Sequence, residues 1–253
     1  IQENSDAKLD IFYSHDDFVE DFTSPHDWYK NDKVLTSFKN NDVDYYNKLI
    51  RNKYWQTHNI HSPDTFIKGD KIIFQSAHVV NEKIIHQNSE IVELSEATKQ
   101  TVTTKSNHII HYWQCKNIKN NEPFNVLDPQ SESLYKTLLN KQAKKAKQTK
   151  NHQERHKEWE KFFAFKEFFV DVKYIFSSTI HKLQGSTYDT VYIDFVSLAQ
   201  SFEYTKDKDL FYRLIYVALT RAAKHIKILL PQNDSYIHYE KQKDLLSNMD
   251  FDF

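Results

Sequence analysis

Apolar and polar positions follow one another with different periods along the chain, and each period predicts a type of element. An apolar run at 33–38 predicts a short buried strand, and apolar residues at helical spacing over 43–55 predict a helix directly after it. Between residues 66 and 113, apolar residues fall into short runs of about 4–6 residues that polar turns separate. This pattern predicts a small antiparallel barrel.

The later part of the chain contains two further patterns. Residues 131–169 contain no glycine or proline and lead from a lysine-rich stretch to a cluster of aromatic residues. They predict a helical arm or hairpin with a basic tip and an aromatic base, although lysines at such spacing are also typical of an ordinary solvated helix face. The apolar run at 190–195 predicts a buried parallel strand. Further strands are predicted at 174–177 and 225–230, with a helix over 210–223.

The composition limits the kinds of partner and site. Hydrophobic residues make up 39% of the 253 positions, so a core can be buried, but the formal net charge is only -1. Any surface for nucleic acid must therefore come from local separation of charge. The single Cys115 excludes an internal disulfide and a zinc site of several cysteines, and the 13 histidines are scattered, so we expect no metal site.

Targeting signals are not evident in the sequence. No apolar run approaches the roughly 20 residues that a membrane span needs, and no signal peptide is recognisable. We therefore expect a cytoplasmic protein without a membrane partner. The chain begins at Ile1 rather than Met, which leads us to expect a fragment or a processed product.

The two glycines of the chain restrict its nucleotide chemistry. Gly69 and Gly185 lie more than a hundred positions apart. A phosphate-binding P-loop needs closely spaced glycines followed by Lys and Ser or Thr, and a Rossmann turn needs its own glycine cluster. Neither motif occurs in this sequence, so these residues do not supply the main phosphate cradle of a nucleotide site.

The strongest local signal for chemistry is the segment 178–187, which lies between two predicted strands. It concentrates small hydroxyls, a lysine, an amide and Gly185. Glycine lets the backbone approach a ligand, and exposed N–H groups nearby can hold a phosphate. Thr179, His181 and Lys182 offer donors for a nucleic-acid backbone. An ordinary polar loop is the alternative interpretation.

A second signal is the apolar helix at 210–223, which contains Thr220-Arg221 near its end. A guanidinium at a helix end can stabilise the charge that develops on a transferring phosphoryl group, which is the role called an arginine finger. Taken alone, an arginine in this position is more often a surface residue paired with a carboxylate.

Together the two segments resemble motifs V and VI of superfamily 1 helicases. The pattern Thr-x-His-Lys-x-Gln-Gly-Ser over 179–186 is followed by Tyr-Val-Ala-Leu-Thr-Arg-Ala over 216–222. The chain is most similar to the RecD/Pif1-like branch (superfamily 1B), and within it to the Dda-type helicases of tailed phages. The resemblance covers residues 10–231 and includes 34–47, which resemble motif IV.

The resemblance implies a fold class and a domain order. The class is α/β, a RecA-like helicase domain 2A with a parallel sheet and an inserted domain 2B made of an SH3-like β-barrel and a helical tower. The implied segments are 1–30 leading into domain 2A, 31–65 as its first part, 66–130 as the barrel, 131–170 as the tower, 171–232 as the second part of domain 2A with motifs V and VI, and 233–253 as a C-terminal tail.

The resemblance also implies roles for single residues. The catalytic residue would be Arg221, an arginine finger that contacts the γ-phosphate of ATP. The residues lining ATP would be Gln184, Gly185, Ser186, Thr187 and Arg221. The residues contacting DNA phosphates would be Thr179, His181, Lys182, Ser37 and Asn40. In the tower, Trp159 would brace the strand-separating pin of domain 1B, and plain core packing is an equal alternative for it.

The cofactors and partners follow from the same resemblance. ATP and Mg²⁺ would be bound mainly by domains 1A and 1B, present in cis or as a separate chain, and the motor would move 5′→3′ along single-stranded DNA. The Walker A and B motifs are not in this sequence, so we expect the chain alone to be inactive. Two positions depart from the family: Thr187 replaces a Glu near the ribose, and Asn88-Ser89 replaces an Asn-Gly turn.

Two other classes of protein remain as alternatives. One is a stand-alone single-stranded DNA-binding or interaction module derived from a helicase. The retained Arg221 argues against it, because an arginine finger has no use without a nucleotide. The other is an unrelated nuclease or regulator of α/β type, for which the sequence contains neither paired carboxylates nor a metal-spaced cluster.

Overall fold

A computed structural model describes residues 8–24, 27–80 and 82–231. The strands are β1 (Lys8–Phe12), β2 (Lys33–Ser37), β3 (Lys71–Phe74), β4 (His78–Val80), β5 (Lys83–His86), β6 (Ile91–Thr103), β7 (Ile109–Asn117), β8 (Pro123–Leu127), β9 (Val172–Tyr174), β10 (Ser177–Thr179), β11 (Tyr188–Asp194) and β12 (Ala222–Leu229). The helices are α1 (His15–Phe22), α2 (Asn40–Thr57), α3 (Glu132–Gln148), α4 (His152–Glu167), α5 (Phe195–Thr205) and α6 (Lys208–Leu219). Short 3₁₀ helices lie at Trp28–Lys30, Pro129–Ser131 and Ile180–Leu183.

The chain divides into two compact units. The first combines the described residues up to 61 with those from 176 onward, and the second comprises residues 62–175. The second unit is therefore an insertion between two halves of the first.

The first unit is built on a sheet of five parallel strands in the order β1-β12-β11-β2-β10. In β11, Val191 and Ile193 belong to an apolar cluster that includes Leu214 of α6, whereas Tyr192 belongs to a second cluster that includes Phe18 of α1. Successive side chains of a strand point to opposite faces, so helices cover both faces of this sheet. That explains the near-continuous apolar sequence of β11 and confirms the predicted α/β class with a parallel sheet.

The second unit contains a five-stranded antiparallel sheet in the order β8-β7-β6-β3-β9 and a separate β4-β5 hairpin. Its core includes Ile72, Phe74 and Trp113. Helices α3 and α4 form an antiparallel hairpin, since Tyr135 near the start of α3 packs on Phe165 near the end of α4 at 5.0 Å between ring centroids. The SH3-like class of the sheet and the tower role of the hairpin remain predictions.

The predicted strand at 174–177 is wrong as a single element. Strand β9 ends at Tyr174 and pairs antiparallel with β3, whereas β10 begins at Ser177 and pairs parallel with β2. The bend at 175–176 between them separates the two units. Apolar periodicity detected the extended backbone but cannot tell which sheet a strand joins.

Three other elements also differ from the sequence-based prediction. The short runs between residues 66 and 113 predict separate strands at 90–94 and 102–104. However, β6 continues through the polar residues between them, because β7 pairs with it along this stretch. The polar N-terminal segment gives no strand pattern, yet β1 forms because its backbone pairs with β12. Helix α5 was not predicted. Pairing to distant strands overrides weak local patterns here.

Some predicted segments lie outside the described residues. These are the tail at 233–253 and, within the N-terminal segment, residues 1–7 and 25–26. Among the helices that the structure describes, none is long and apolar enough to cross a membrane.

Candidate functional site

The segment after β10 forms a compact turn at the edge of the parallel sheet. It begins as the 3₁₀ helix Ile180–Leu183, in which Ile180 and Leu183 are buried in the core. These two anchors leave the intervening His181 and Lys182 exposed, together with Gln184. An apolar-polar-polar-apolar sequence in one helical turn thus produces a fixed backbone with polar side chains on its outer side.

Gly185 is required by the backbone of this turn. Its φ angle is +91°, and no atom lies within 4 Å of the position that a Cβ would take. The requirement is therefore conformational rather than steric. The next residue closes the turn, because the Ser186 N–H donates to the carbonyl of Leu183 at 3.0 Å.

Arg221 lies beside this turn. It follows α6 and the helix-ending Thr220, and its Nη1 donates to the Ser186 carbonyl at 3.2 Å while Nη2 donates to Thr220 Oγ1 at 3.1 Å. Its own carbonyl accepts from the Tyr188 N–H at 2.9 Å. The Nε atom is buried and has no hydrogen-bond partner in the described part of the chain. The half-buried guanidinium is thus held beside the 184–186 turn by neutral acceptors, and none of these bonds neutralises its charge.

The residues predicted to contact DNA differ in exposure. His181 and Lys182 are exposed, and so is Asn40, the first residue of α2. By contrast, Ser37 is 0% exposed and Thr179 8%. Ser37 Oγ lies 3.3 Å from Ser197 Oγ, so this hydroxyl is engaged inside the first unit. The structure therefore brings three of the five side chains to the surface, and burial does not favour a direct phosphate contact by the other two.

The remaining predicted residues are Thr187 and Trp159. Thr187 is exposed next to Ser186. Trp159 is half-buried on α4, where its ring packs against Phe162 and Phe163 of the same helix at 5.3 and 5.9 Å between centroids. It belongs to the second unit, and its contacts there are consistent with the packing alternative.

A buried polar network beside a cleft was missed by the sequence analysis. Asp194, at the end of β11, accepts hydrogen bonds from Tyr46 Oη at 3.0 Å and from the Ser197 N–H at 3.0 Å. Burial raises the pKa of this carboxyl, and the pKa of Tyr46 is raised by its own burial and by the nearby Asp194. These residues line a cleft of about 480 Å³ together with His15, whose ring stacks on Tyr46.

A sequence signal for this network existed. Asp194 follows a buried parallel strand directly, and the carboxyl ends of parallel strands are where α/β proteins place polar functional groups. None of the candidate site residues predicted from the sequence lies at the end of β11.

Arg221 and the turn beside it have the chemistry that could contact an anionic group of a cofactor. Arg221, with its unpartnered Nε, and the glycine-containing turn beside it fit the terminal phosphate of a triphosphate, because cations and exposed backbone donors stabilise phosphoryl oxygens. They do not form a complete cradle. Within residues 8–24, 27–80 and 82–231, no cluster of three or more metal-ligating side chains occurs.

The motif-bearing segment matches the model of a known protein family. Residues 174–229 match the UvrD-like helicase C-terminal domain. The ATP-dependent DNA helicase dda of Enterobacteria phage T4 is 28% identical over 206 residues, which is 74% of this chain and 44% of that protein. The chain thus spans less than half the length of this relative.

Solved structures of Pif1 helicases are also similar to the chain. The Bacteroides Pif1 helicase in complex with ADP-AlF3 and ssDNA matches with 14% identity and a TM-score of 0.35, over 90% of this chain and 49% of that one. Pif1 helicase from Candida albicans matches with 11% identity and a TM-score of 0.32, over 90% and 57%.

Proposed function

This chain is related to the C-terminal half of superfamily 1B helicases, and from that premise we propose that it is the second motor domain of an ATP-dependent DNA helicase. Its role would be to supply an arginine finger and part of the path for single-stranded DNA. The observation that carries the proposal is the contact between Arg221 and the 184–186 turn, because it unites the two motif segments in one site.

The proposed action of Arg221 is electrostatic. In an intact motor, ATP and Mg²⁺ would sit between this domain and domain 1A, where a bound nucleotide would supply the phosphoryl group that is transferred to water. Arg221 would approach the γ-phosphate when the cleft closes and stabilise the charge that develops there. Such a contact contributes about 10³–10⁵ in rate in other phosphoryl-transfer enzymes. The existing bonds to Ser186 and Thr220 support this role, since they hold the guanidinium in place before the nucleotide arrives.

The proposed DNA contacts lie at the carboxyl ends of β10 and β2. Exposed His181 and Lys182 follow β10, and exposed Asn40 begins α2 after β2. Strands β10 and β2 are neighbours in the sheet, so these side chains share one edge of the first unit. Phosphate contacts of this kind position a strand without reading its sequence. Ser37 and Thr179 would contribute by shaping the backbone on which the exposed residues stand.

The finer parts of the proposal follow from the family. The motor would move 5′→3′, the insertion would correspond to domain 2B, and Trp159 would brace a pin on domain 1B. A second candidate function is a stand-alone module that binds single-stranded DNA without hydrolysing ATP. The exposed His181 and Lys182 would serve both functions, whereas a guanidinium held beside a glycine turn favours the motor.

DNA-stimulated ATP hydrolysis tests the proposal. It would be measured for this chain alone and again after mixing with the polypeptide encoded directly upstream. We expect activity only in the mixture and its loss on Arg221→Ala. Activity of the chain alone would contradict the absence of a phosphate cradle. If neither the chain alone nor the mixture hydrolyses ATP, but the chain still binds single strands in a salt-sensitive way, the stand-alone module would be favoured.

A further inference from the structure

The tip of the α3–α4 hairpin concentrates positive charge. Residues 141–157 contain seven basic residues and one acidic residue, so this short stretch has a formal net charge of +6 in a chain whose net charge is -1. The basic residues are Lys141, Lys144, Lys145, Lys147, Lys150, Arg155 and Lys157. Charge of one sign gathered in one place raises the local potential and attracts polyanions.

The hairpin holds this tip in a defined shape. The Glu158 carboxylate of α4 forms ion pairs with the Nζ atoms of Lys145 at 3.1 Å and Lys161 at 2.6 Å. It also accepts a hydrogen bond from Gln142 Nε2 at 2.9 Å. Ala146, which is 0% exposed, lies in the same half of α3. At the turn, the Asn151 side chain accepts hydrogen bonds from the backbone N–H groups of Gln153 and Glu154 in the first turn of α4, and so caps that helix. The basic residues therefore lie on a helical hairpin that side-chain contacts hold together.

Four of the lysines remain available to a partner. Lys141, Lys144, Lys147 and Lys150 are exposed, and no ion pair or hydrogen bond of their side chains occurs within the described residues. Lys145 differs from them because it is committed to Glu158. Uncompensated like charges at close spacing cost free energy in the free protein, and a polyanionic partner would relieve that cost.

The residue types at the tip distinguish between kinds of nucleic acid. No Phe, Trp or Tyr occurs between Tyr135 and Trp159, so the tip offers no aromatic platform for unpaired bases. Proteins that bind single strands combine a basic groove with such platforms. Lysines alone recognise the phosphate backbone, and duplex DNA presents it at the higher density of one charge per about 1.7 Å of axis.

We propose that the basic tip of the α3–α4 hairpin binds the phosphate backbone of duplex DNA, without sequence preference. This surface is separate from the proposed contacts of His181, Lys182 and Asn40 and goes beyond the proposed motor function. It would let one chain hold unpaired and paired DNA through different residues.

The test is fluorescence anisotropy of the full chain with a short blunt duplex and with a single strand of the same sequence, over a salt series. The test variant is K141E/K144E/K147E. The matched control, K68E/K83E/K105E, makes the same change in net charge at exposed lysines elsewhere in the second unit. We expect the tip variant to lose about tenfold or more in duplex affinity and its log–log salt slope to fall by about 2–3, since each neutralised phosphate contributes about 0.9.

The outcomes separate this proposal from the proposed function. Equal losses in the tip variant and the control, or an unchanged duplex affinity in the tip variant, would overturn it. If charge reversal disturbs the hairpin, the variant K141Q/K144Q/K147Q, which only removes the charges, should still show reduced duplex affinity. Lys182→Ala should weaken single-strand binding and leave duplex binding unchanged. An unchanged single-strand affinity of Lys182→Ala would count against the proposed function and not against the tip. The proposal would also be overturned if every tip variant kept its duplex affinity and the tip bound an acidic protein instead.

Discussion

The guanidinium of Arg221 donates a hydrogen bond to the Ser186 carbonyl at 3.2 Å, across 35 residues of sequence. The bond ties the end of α6 to the turn that contains Gly185. Because the acceptor is a backbone carbonyl, this contact restricts the position of the guanidinium without placing a negative charge beside it. A phosphate placed beside the turn would meet a charge that needs little rearrangement, which is the condition for efficient electrostatic catalysis.

Arg221→Lys tests this arrangement in the proposed motor, reconstituted with the domains 1A and 1B that the proposal requires. Lysine keeps the charge but cannot donate to Ser186 and Thr220 in a fixed planar geometry. We expect ATP hydrolysis to fall by at least about tenfold, with single-strand affinity unchanged, and to fall further with Arg221→Ala. Rates near those of the unaltered protein for both variants would mean that another group acts on the phosphate. Arg213→Lys, on the same helix, is the control.

Gly185→Ala should destabilise the first unit. At a φ of +91° an alanine is strained even though its Cβ meets no atom within 4 Å, and the cost is about 1–2 kcal/mol. Gly185→Asn should cost less, because asparagine tolerates positive φ better. Urea unfolding measures both free energies. If alanine and asparagine were equally well tolerated, the turn would have to relax to another conformation.

Tyr46→Phe should lower the free energy of unfolding by about 1–3 kcal/mol, because it removes a partner from the buried Asp194 carboxyl. The Tyr46 hydroxyl lowers the pKa of Asp194, which burial raises. A raised folded-state pKa means that stability falls as pH increases from the ordinary Asp value through the folded value. Without the hydroxyl that pKa rises further, so the deficit of the variant should grow as pH increases above the ordinary Asp value.

Thermal unfolding at several pH values would measure this deficit. The matched control is Tyr45→Phe, since the neighbouring Tyr45 is 53% exposed and does not donate to Asp194. A deficit that shrinks with increasing pH would contradict the assignment of Tyr46 as a partner of the ionised carboxylate.

Glu158→Gln should loosen the α3–α4 hairpin. Hydrogen bonds from Lys161, Gln142 and Lys145 lower the pKa of Glu158 to about 2. Its stabilising effect is therefore present above the ordinary Glu pKa and is lost as pH falls towards 2. We expect lower protection of α3 and α4 amides against hydrogen exchange, relative to the intrinsic rate at each pH, in the variant at neutral pH. We also expect the variant to lose less of that protection on acidification. Glu160→Gln, at an exposed position of α4, should leave exchange in α3 unchanged.

Cys115 should be inert to thiol reagents in the folded chain. It is 0% exposed in the core of the second unit, and burial raises its pKa to about 12. Thiolate is the reactive form, so modification at pH 8 must wait for opening of that core. The modification rate in increasing urea should follow the unfolding of the second unit. Rapid modification of the native protein would contradict this burial.

Sequence patterns predicted the elements that local physics specifies. The helix after β2, the apolar β11 and the long helical stretch carrying the basic residues were all predicted, because each repeats apolar positions with the period of its own backbone. The motif segments were also recognisable, since glycine at positive φ and an arginine at a helix end are local features. Strand β1 and the polar middle of β6 lacked such a period, and only their partners keep them extended.

By itself, then, the sequence determined an α/β chain with a parallel sheet, a lysine-rich helical segment and two helicase-like motifs without a phosphate cradle. Tertiary structure alone decided that Ser37 and Thr179 are buried while His181 and Lys182 are exposed, that Asp194 meets Tyr46, and that the strand predicted over 174–177 is shared between two sheets. The physical reason is that burial and hydrogen bonding depend on residues far apart in the chain, whereas periodicity and turn chemistry depend only on neighbours.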